Sequence, residues 1–119
     1  MNRVTLASEM LAPNALSYVA NYHQEVVKKV IDTVASNKVV VVGMAKNPFV
    51  GKARRALKAA SVDFKYLEYG SYLSQWKQRL AIKLWSGWPT YPQVFVDGKL
   101  IGGFKELEQE LAAKKITAS

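Results

Sequence analysis

Apolar positions along the chain recur with two different periods. Val26, Val27, Val30, Ile31 and Val34 form one stripe at helical spacing, which predicts a helix over 13–36. Pro13 suits the first position of that helix, and residues 1–12 before it read as a loosely held arm. "KVVVVG" (38–43) is a continuous β-branched run, the pattern of a strand buried on both faces. "NPFVGKARRALKAA" (47–60) returns to helical spacing, with Val50, Ala53, Leu57 and Ala60 on one face. "FKYLEY" (64–69) alternates and predicts a second strand. Ser71 is placed to cap a following helix that would carry Leu73, Trp76, Leu80 and Leu84 inward. "QVFV" (93–96) and "KLIG" (99–102) flank Asp97-Gly98, a strong signal for a two-residue hairpin turn. "FKELEQELAAKK" (104–115) predicts a closing helix.

The predicted order is therefore α-β-α-β-α-β-β-α. Strands joined through a helix run parallel, and strands joined by a tight turn run antiparallel. An α/β domain over 13–119 follows, with a mixed four-stranded sheet between helices.

Composition narrows the chemistry more than the fold. A chain of 119 residues, half of them hydrophobic, suits one domain with one packed core. No apolar run approaches the roughly 20 residues of a membrane helix, and no secretory signal is read in the first residues, so a cytoplasmic location and no membrane partner are expected. The sequence holds no cysteine, which excludes disulfides, thiol nucleophiles and cysteine-ligated clusters supplied by this chain. His23 is the only histidine, so no metal site is expected. Net charge is +8, from 17 basic and 9 acidic residues, and favours an anionic partner without choosing one. Lys46, Lys52, Arg54, Arg55 and Lys58 fall between Met44 and Val62 with no acid among them, at the predicted start of a helix that carries its own positive end.

Several spaced motifs carry a resemblance to a known family. "WPTYPQVFVDGKLIGGFKEL" (88–107) closely resembles the matching stretch of glutaredoxins, above all the monothiol class, where "W-P-T-[FY]-P-Q" leads into a hairpin and a Gly-Gly before the last helix. The spacing of Arg79, Lys83, Ser86 and Trp88 is also monothiol-like. "VVVVGMAKNPFVGKARRAL" aligns with the family's first strand, active-site turn and helix. The resemblance spans roughly residues 25–112 and implies a thioredoxin fold with an extra N-terminal helix.

In that alignment Asn47 stands at the catalytic cysteine and Val50 at the second cysteine of the dithiol form, while Pro48 and Phe49 match the residues between them. The lysine that precedes the family's cysteine aligns with Met44, and Lys46 is the neighbouring cation. The resemblance implies a cis bond at Tyr91-Pro92, with the Tyr91 backbone pairing with the cysteinyl part of glutathione; a proline that only shapes the sheet edge is the plainer alternative. Arg79 and Lys83 match basic positions that meet the glycyl carboxylate, or form a solvated helix face. Gly102 and Gly103 allow close backbone approach, and Phe104, Lys105 and Glu106 stand where relatives hold the γ-glutamyl end, with Lys105 in place of a common aspartate.

The expected ligand site is Lys46, Asn47, Phe49, Arg79, Thr90, Tyr91, Pro92, Gly102, Gly103 and Phe104, with no catalytic residue. The expected function is a redox-inactive glutaredoxin-like protein that binds glutathione or an anionic partner peptide, without a covalently bound cofactor or an iron–sulfur cluster. Two alternatives stay open. One is a glutathione-dependent oxidoreductase role through a partner's thiol. The other is a basic scaffold for an acidic protein or nucleic acid, the latter without a recognisable RNA-binding motif and with most of Tyr72, Trp76, Trp85 and Trp88 read as packing residues rather than base-stacking ones.

Overall fold

The computed structural model describes residues 24–119, in the order α1 (Gln24–Ser36), β1 (Val39–Gly43), α2 (Pro48–Ala59), β2 (Lys65–Glu68), α3 (Trp76–Ser86), β3 (Gln93–Val96), β4 (Lys99–Gly102) and α4 (Phe104–Ala112). The arm expected at 1–12, the helix start at Pro13 and His23 lie outside the described residues. The strands form one four-stranded sheet in the order β2-β1-β3-β4. β1 runs parallel to β2, with Val41 opposite Tyr66, and antiparallel to β3, with Val41 opposite Val94. β3 and β4 form the expected hairpin, and Phe95 faces Leu100 across it. Asp97 and Gly98 both have positive φ (51° and 82°), the conformation that a tight hairpin with right-twisted strands requires.

The valine run of β1 divides between two cores. Val40 and Val42 pack with Val30 and Val34 of α1, Ile82 of α3, Tyr91 and Phe95. Val39 and Val41 pack on the other side with Ala53 and Leu57 of α2, Val94, Val96 and Leu107 of α4. Side chains alternate across a strand, so a central strand covered on both faces has no polar side and reads as an unbroken β-branched run. β1 ends in Gly43 for a packing reason. A Cβ there would lie 2.7 Å from Val50 Cγ1, so only glycine lets the first turn of α2 close onto the strand end. No helix among the described residues is long and apolar enough to cross a membrane.

The region before α3 departs from the expectation. Ser71 does not cap the helix: α3 begins at Trp76, and Gln75 precedes it with φ 53° and no side-chain cap. Ser71 instead folds the 71–74 loop on itself, donating its N–H to Ser74 Oγ at 3.1 Å and accepting from the Leu73 N–H at 3.4 Å. The apolar stripe is corrected as well. Leu73, Trp76 and Leu80 are 96%, 57% and 38% exposed, and the helix buries Arg79, Ala81 and Ile82. The inward face is phased on Ile82 and includes an arginine, which hydropathy alone assigns to solvent. Arg79 tolerates burial because its guanidinium donates to two carbonyls, Tyr69 O at 3.0 Å and Ser74 O at 2.5 Å.

Candidate functional site

The turn between β1 and α2 and the loop before β3 meet at the same end of the sheet. Asn47 has extended backbone (φ −93°, ψ 117°) and caps α2. Its Oδ1 accepts from the Phe49 N–H at 2.9 Å and the Val50 N–H at 3.3 Å, and Pro48 fills the first helical position, where no N–H is needed. The other half of the same amide faces the opposing loop, where Nδ2 donates to Tyr91 O at 3.4 Å. The Tyr91-Pro92 bond is cis. A 3.4 Å contact is longer than a good N–H···O bond, so this cross-turn link is weak while the cap is well made.

Two further groups hold this arrangement. Arg79 connects its two sides: its backbone carbonyl accepts from the Tyr91 hydroxyl at 2.6 Å, and its guanidinium fixes the 69–74 loop. That loop in turn accepts from the turn, Ala45 N–H to Gly70 O at 2.6 Å. Gln93, fully buried at the start of β3, donates Nε2 to Trp88 O at 3.1 Å and so sets the course of the 88–92 loop. Burial pushes the Tyr91 phenol well above its ordinary value against the opposing pull of the Arg79 guanidinium, so the phenol stays protonated and keeps donating.

Between these elements lies an open groove of about 550 Å³. Of the residues expected from the sequence, Asn47, Phe49, Thr90, Tyr91, Pro92, Gly103 and Phe104 line it together. Lys83 and Lys105 also face it, from α3 and α4. The Lys83 ammonium sits 5.6 Å from the centroid of the Tyr91 ring. Three expected residues stand elsewhere. Arg79 is buried and occupied with carbonyls, Lys46 lines a separate groove on the other side of the turn, and Gly102 lies just behind Gly103. Gly102 has φ 126°, and a Cβ there would come within 2.6 Å of Glu106 Cγ. That space belongs to the Glu106 side chain, whose Oε1 accepts from the Gly103 N–H at 2.8 Å at the start of α4.

Sequence reasoning missed Met44, Tyr72 and Trp88 as groove residues. Trp88 was legible as part of the "WPTYP" motif but read as packing; its indole Nε1 is buried without a hydrogen-bond partner among the described residues. Tyr72 stands among the aromatic residues considered from the sequence, but not for this groove; it is exposed, and the folded 71–74 loop brings it to the groove wall.

Solved structures share this architecture. Reduced glutaredoxin C1 of Populus tremula x tremuloides matches with a TM-score of 0.70 and 21% identity, covering 82% of this chain and 84% of that one. Buckwheat glutaredoxin, solved as its glutathione complex, matches with a TM-score of 0.66 and 21% identity over 77% of this chain and 84% of its own. The protein is thus a thioredoxin-fold protein with a cis-proline loop facing a helix start. The glutaredoxin family model matches residues 39–101, and a glutaredoxin-like protein of Dictyostelium discoideum is 54% identical over 98 residues, 82% of this chain and 80% of that relative. The chain belongs to the glutaredoxin family, and it has no cysteine.

Proposed function

We propose that this protein is a glutaredoxin-like binding module that holds glutathione, or the extended end of a partner peptide, in the groove without thiol exchange. The observation that carries this reading is a complete groove built around an amide. Asn47, the cis-proline loop and Gly103 converge there, and the chain offers no thiol. Thiol–disulfide exchange begins with a thiolate attacking a sulfur, and a carboxamide supplies no such nucleophile. The weak Nδ2 contact to Tyr91 O leaves that carbonyl available to a ligand N–H. Lys83 and Lys105 suit a ligand with carboxylates at its ends. The glutathione complex of the buckwheat relative, which has the same fold, agrees with the ligand class.

Calorimetric titration with reduced glutathione tests the reading. Saturable heat with a dissociation constant at or below about 1 mM is expected, and Lys83→Glu should weaken it roughly tenfold by replacing attraction with repulsion. Absence of heat at millimolar ligand removes the glutathione reading. A mixed-disulfide reduction assay should stay at the no-protein rate, and turnover above it would refute the redox-inactive assignment.

A further inference from the structure

On the other side of the β1–α2 turn lies a second groove, of about 380 Å³, lined by Lys46, Lys52, Arg54 and Arg55, with Tyr66 and Glu68 from β2. It shares Met44, Asn47 and Pro48 with the first groove as a common rim but opens between α2 and the edge of the sheet. We propose that this groove is a separate binding site for a small ligand with clustered phosphates, such as the polyphosphate chain of a nucleotide.

Among the described residues, no ion pair joins the positive side chains of this groove to an acid. The ion pairs among the described residues join Lys28 to Asp32 and Lys115 to Glu110, both outside the groove. Glu68, the one acid that lines it, accepts the Tyr66 hydroxyl at 3.0 Å. The first turn of α2 carries no acid, so its positive end adds to the side-chain charge.

Two arginines line the groove, Arg54 half-buried and Arg55 exposed at its rim. The Arg54 guanidinium lies over the Tyr66 ring, 3.9 Å from its centroid, and its Nε is buried with no hydrogen-bond acceptor. Arg54 lines the groove, and its buried N–H adds no ion pair that would neutralise the guanidinium there. Arg55 folds back over Gly51: a Cβ on that glycine would lie 3.1 Å from Arg55 Nη1. The missing side chain at Gly51 therefore gives the guanidinium its place over the first helical turn. Planar guanidinium groups match phosphate oxygens with paired hydrogen bonds. A single carboxylate cannot engage two arginines and two lysines at once, whereas a chain of linked phosphates can.

Calorimetry on the full chain with inorganic tripolyphosphate and with ATP, at low and moderate salt, tests the site. Saturable binding is expected, weakening with salt as charge screening grows. Equal affinity for the two identifies the phosphates alone as the ligand, and tighter ATP adds a contact to the nucleoside; both sustain the proposal. Arg55→Glu and Lys52→Glu, each at an exposed position of α2, should weaken tripolyphosphate by roughly tenfold each. Lys99→Glu, an equal charge change on exposed β4, should change it by less than about twofold. The thermal midpoint of each variant, read in the same buffer, identifies any that fail to fold; Arg54→Met then replaces a failed variant. Absence of binding at about 1 mM, equal losses in Lys99→Glu and Arg55→Glu, or tighter binding of a single-stranded oligonucleotide that Arg55→Glu leaves unchanged would each overturn the proposal. Glutathione titration of Arg55→Glu keeps the two sites distinguishable, since its heat should be unaltered whether or not tripolyphosphate binds.

Discussion

Asn47 performs two tasks with the two ends of one amide. The oxygen caps α2, and the nitrogen reaches toward Tyr91 O. The cap is the stronger contribution, because it satisfies backbone N–H groups that have no helical partner. Asn47→Ala should therefore destabilise the protein by about 1 kcal/mol in urea unfolding, and Asn47→Asp, which keeps the accepting oxygen, should lose much less. An equal loss in both variants would show that the Nδ2 contact, and not the cap, carries the effect. Arg79 is the second residue whose position matters more than its charge. Arg79→Met leaves the Tyr69 and Ser74 carbonyls without their donor, at a cost of about 2 kcal/mol, and should speed amide exchange in the 69–74 loop before the rest of the chain. Unchanged exchange there would refute its role as the brace of that loop.

At the scale of elements, the site depends on how strand ends meet helix starts. β1 ends at Gly43 so that Val50 can approach, and β4 ends at Gly102 so that Glu106 can turn back to the Gly103 N–H. Both glycines are set by a neighbouring side chain, and Gly102 also by its positive φ. Gly102→Ala should cost about 1–3 kcal/mol through the strained backbone alone. It should also displace Glu106 and alter the groove beside Gly103. Matched unfolding curves for this variant and the parent would contradict the close approach seen between Gly102 and Glu106. The hairpin, the buried strand and the capped α2 were all legible before the structure, because each rests on local signals: Asp-Gly, a valine run, and Asn-Pro before a helical stripe. α3 was not. Its aromatic and leucine residues suggested an inward stripe, and the structure leaves Leu73, Trp76 and Leu80 exposed and Leu84 half-buried, while Arg79 turns inward to carbonyl partners supplied by a loop up to ten residues away in sequence.

At the scale of the whole molecule, one buried and two half-buried phenols link stability to pH. Burial raises Tyr66, with Glu68 raising it further against Arg54, and burial likewise raises Tyr69 and Tyr91. The folded protein therefore keeps these protons to a higher pH than the unfolded chain, whose phenols titrate near ~10. A group with a raised folded value contributes full stability below its unfolded value and loses it as pH rises toward the folded one. The thermal midpoint should thus hold steady through neutral pH and fall above about pH 10. Tyr91→Phe should soften that fall while losing about 1 kcal/mol at neutral pH, from the missing bond to Arg79 O. A midpoint that stays level well above about pH 10 would contradict the raised values of these phenols.

The sequence by itself determined the element order, the two-faced central strand, the hairpin and the capped helix start, since each follows from a local period or a local turn preference. Together with the motif resemblance, it also identified Asn47, Phe49, Thr90, Tyr91, Pro92, Gly103 and Phe104, which the fold brings into one groove. The tertiary structure decided the rest. It took Arg79 out of the groove and made it a brace, set Lys46 on the far side of the turn, and brought Tyr72 to the groove wall. The physical reason is the same in each case: where a side chain points at a loop or a helix end depends on partners distant in sequence, and no local pattern of apolar and polar residues records who those partners are.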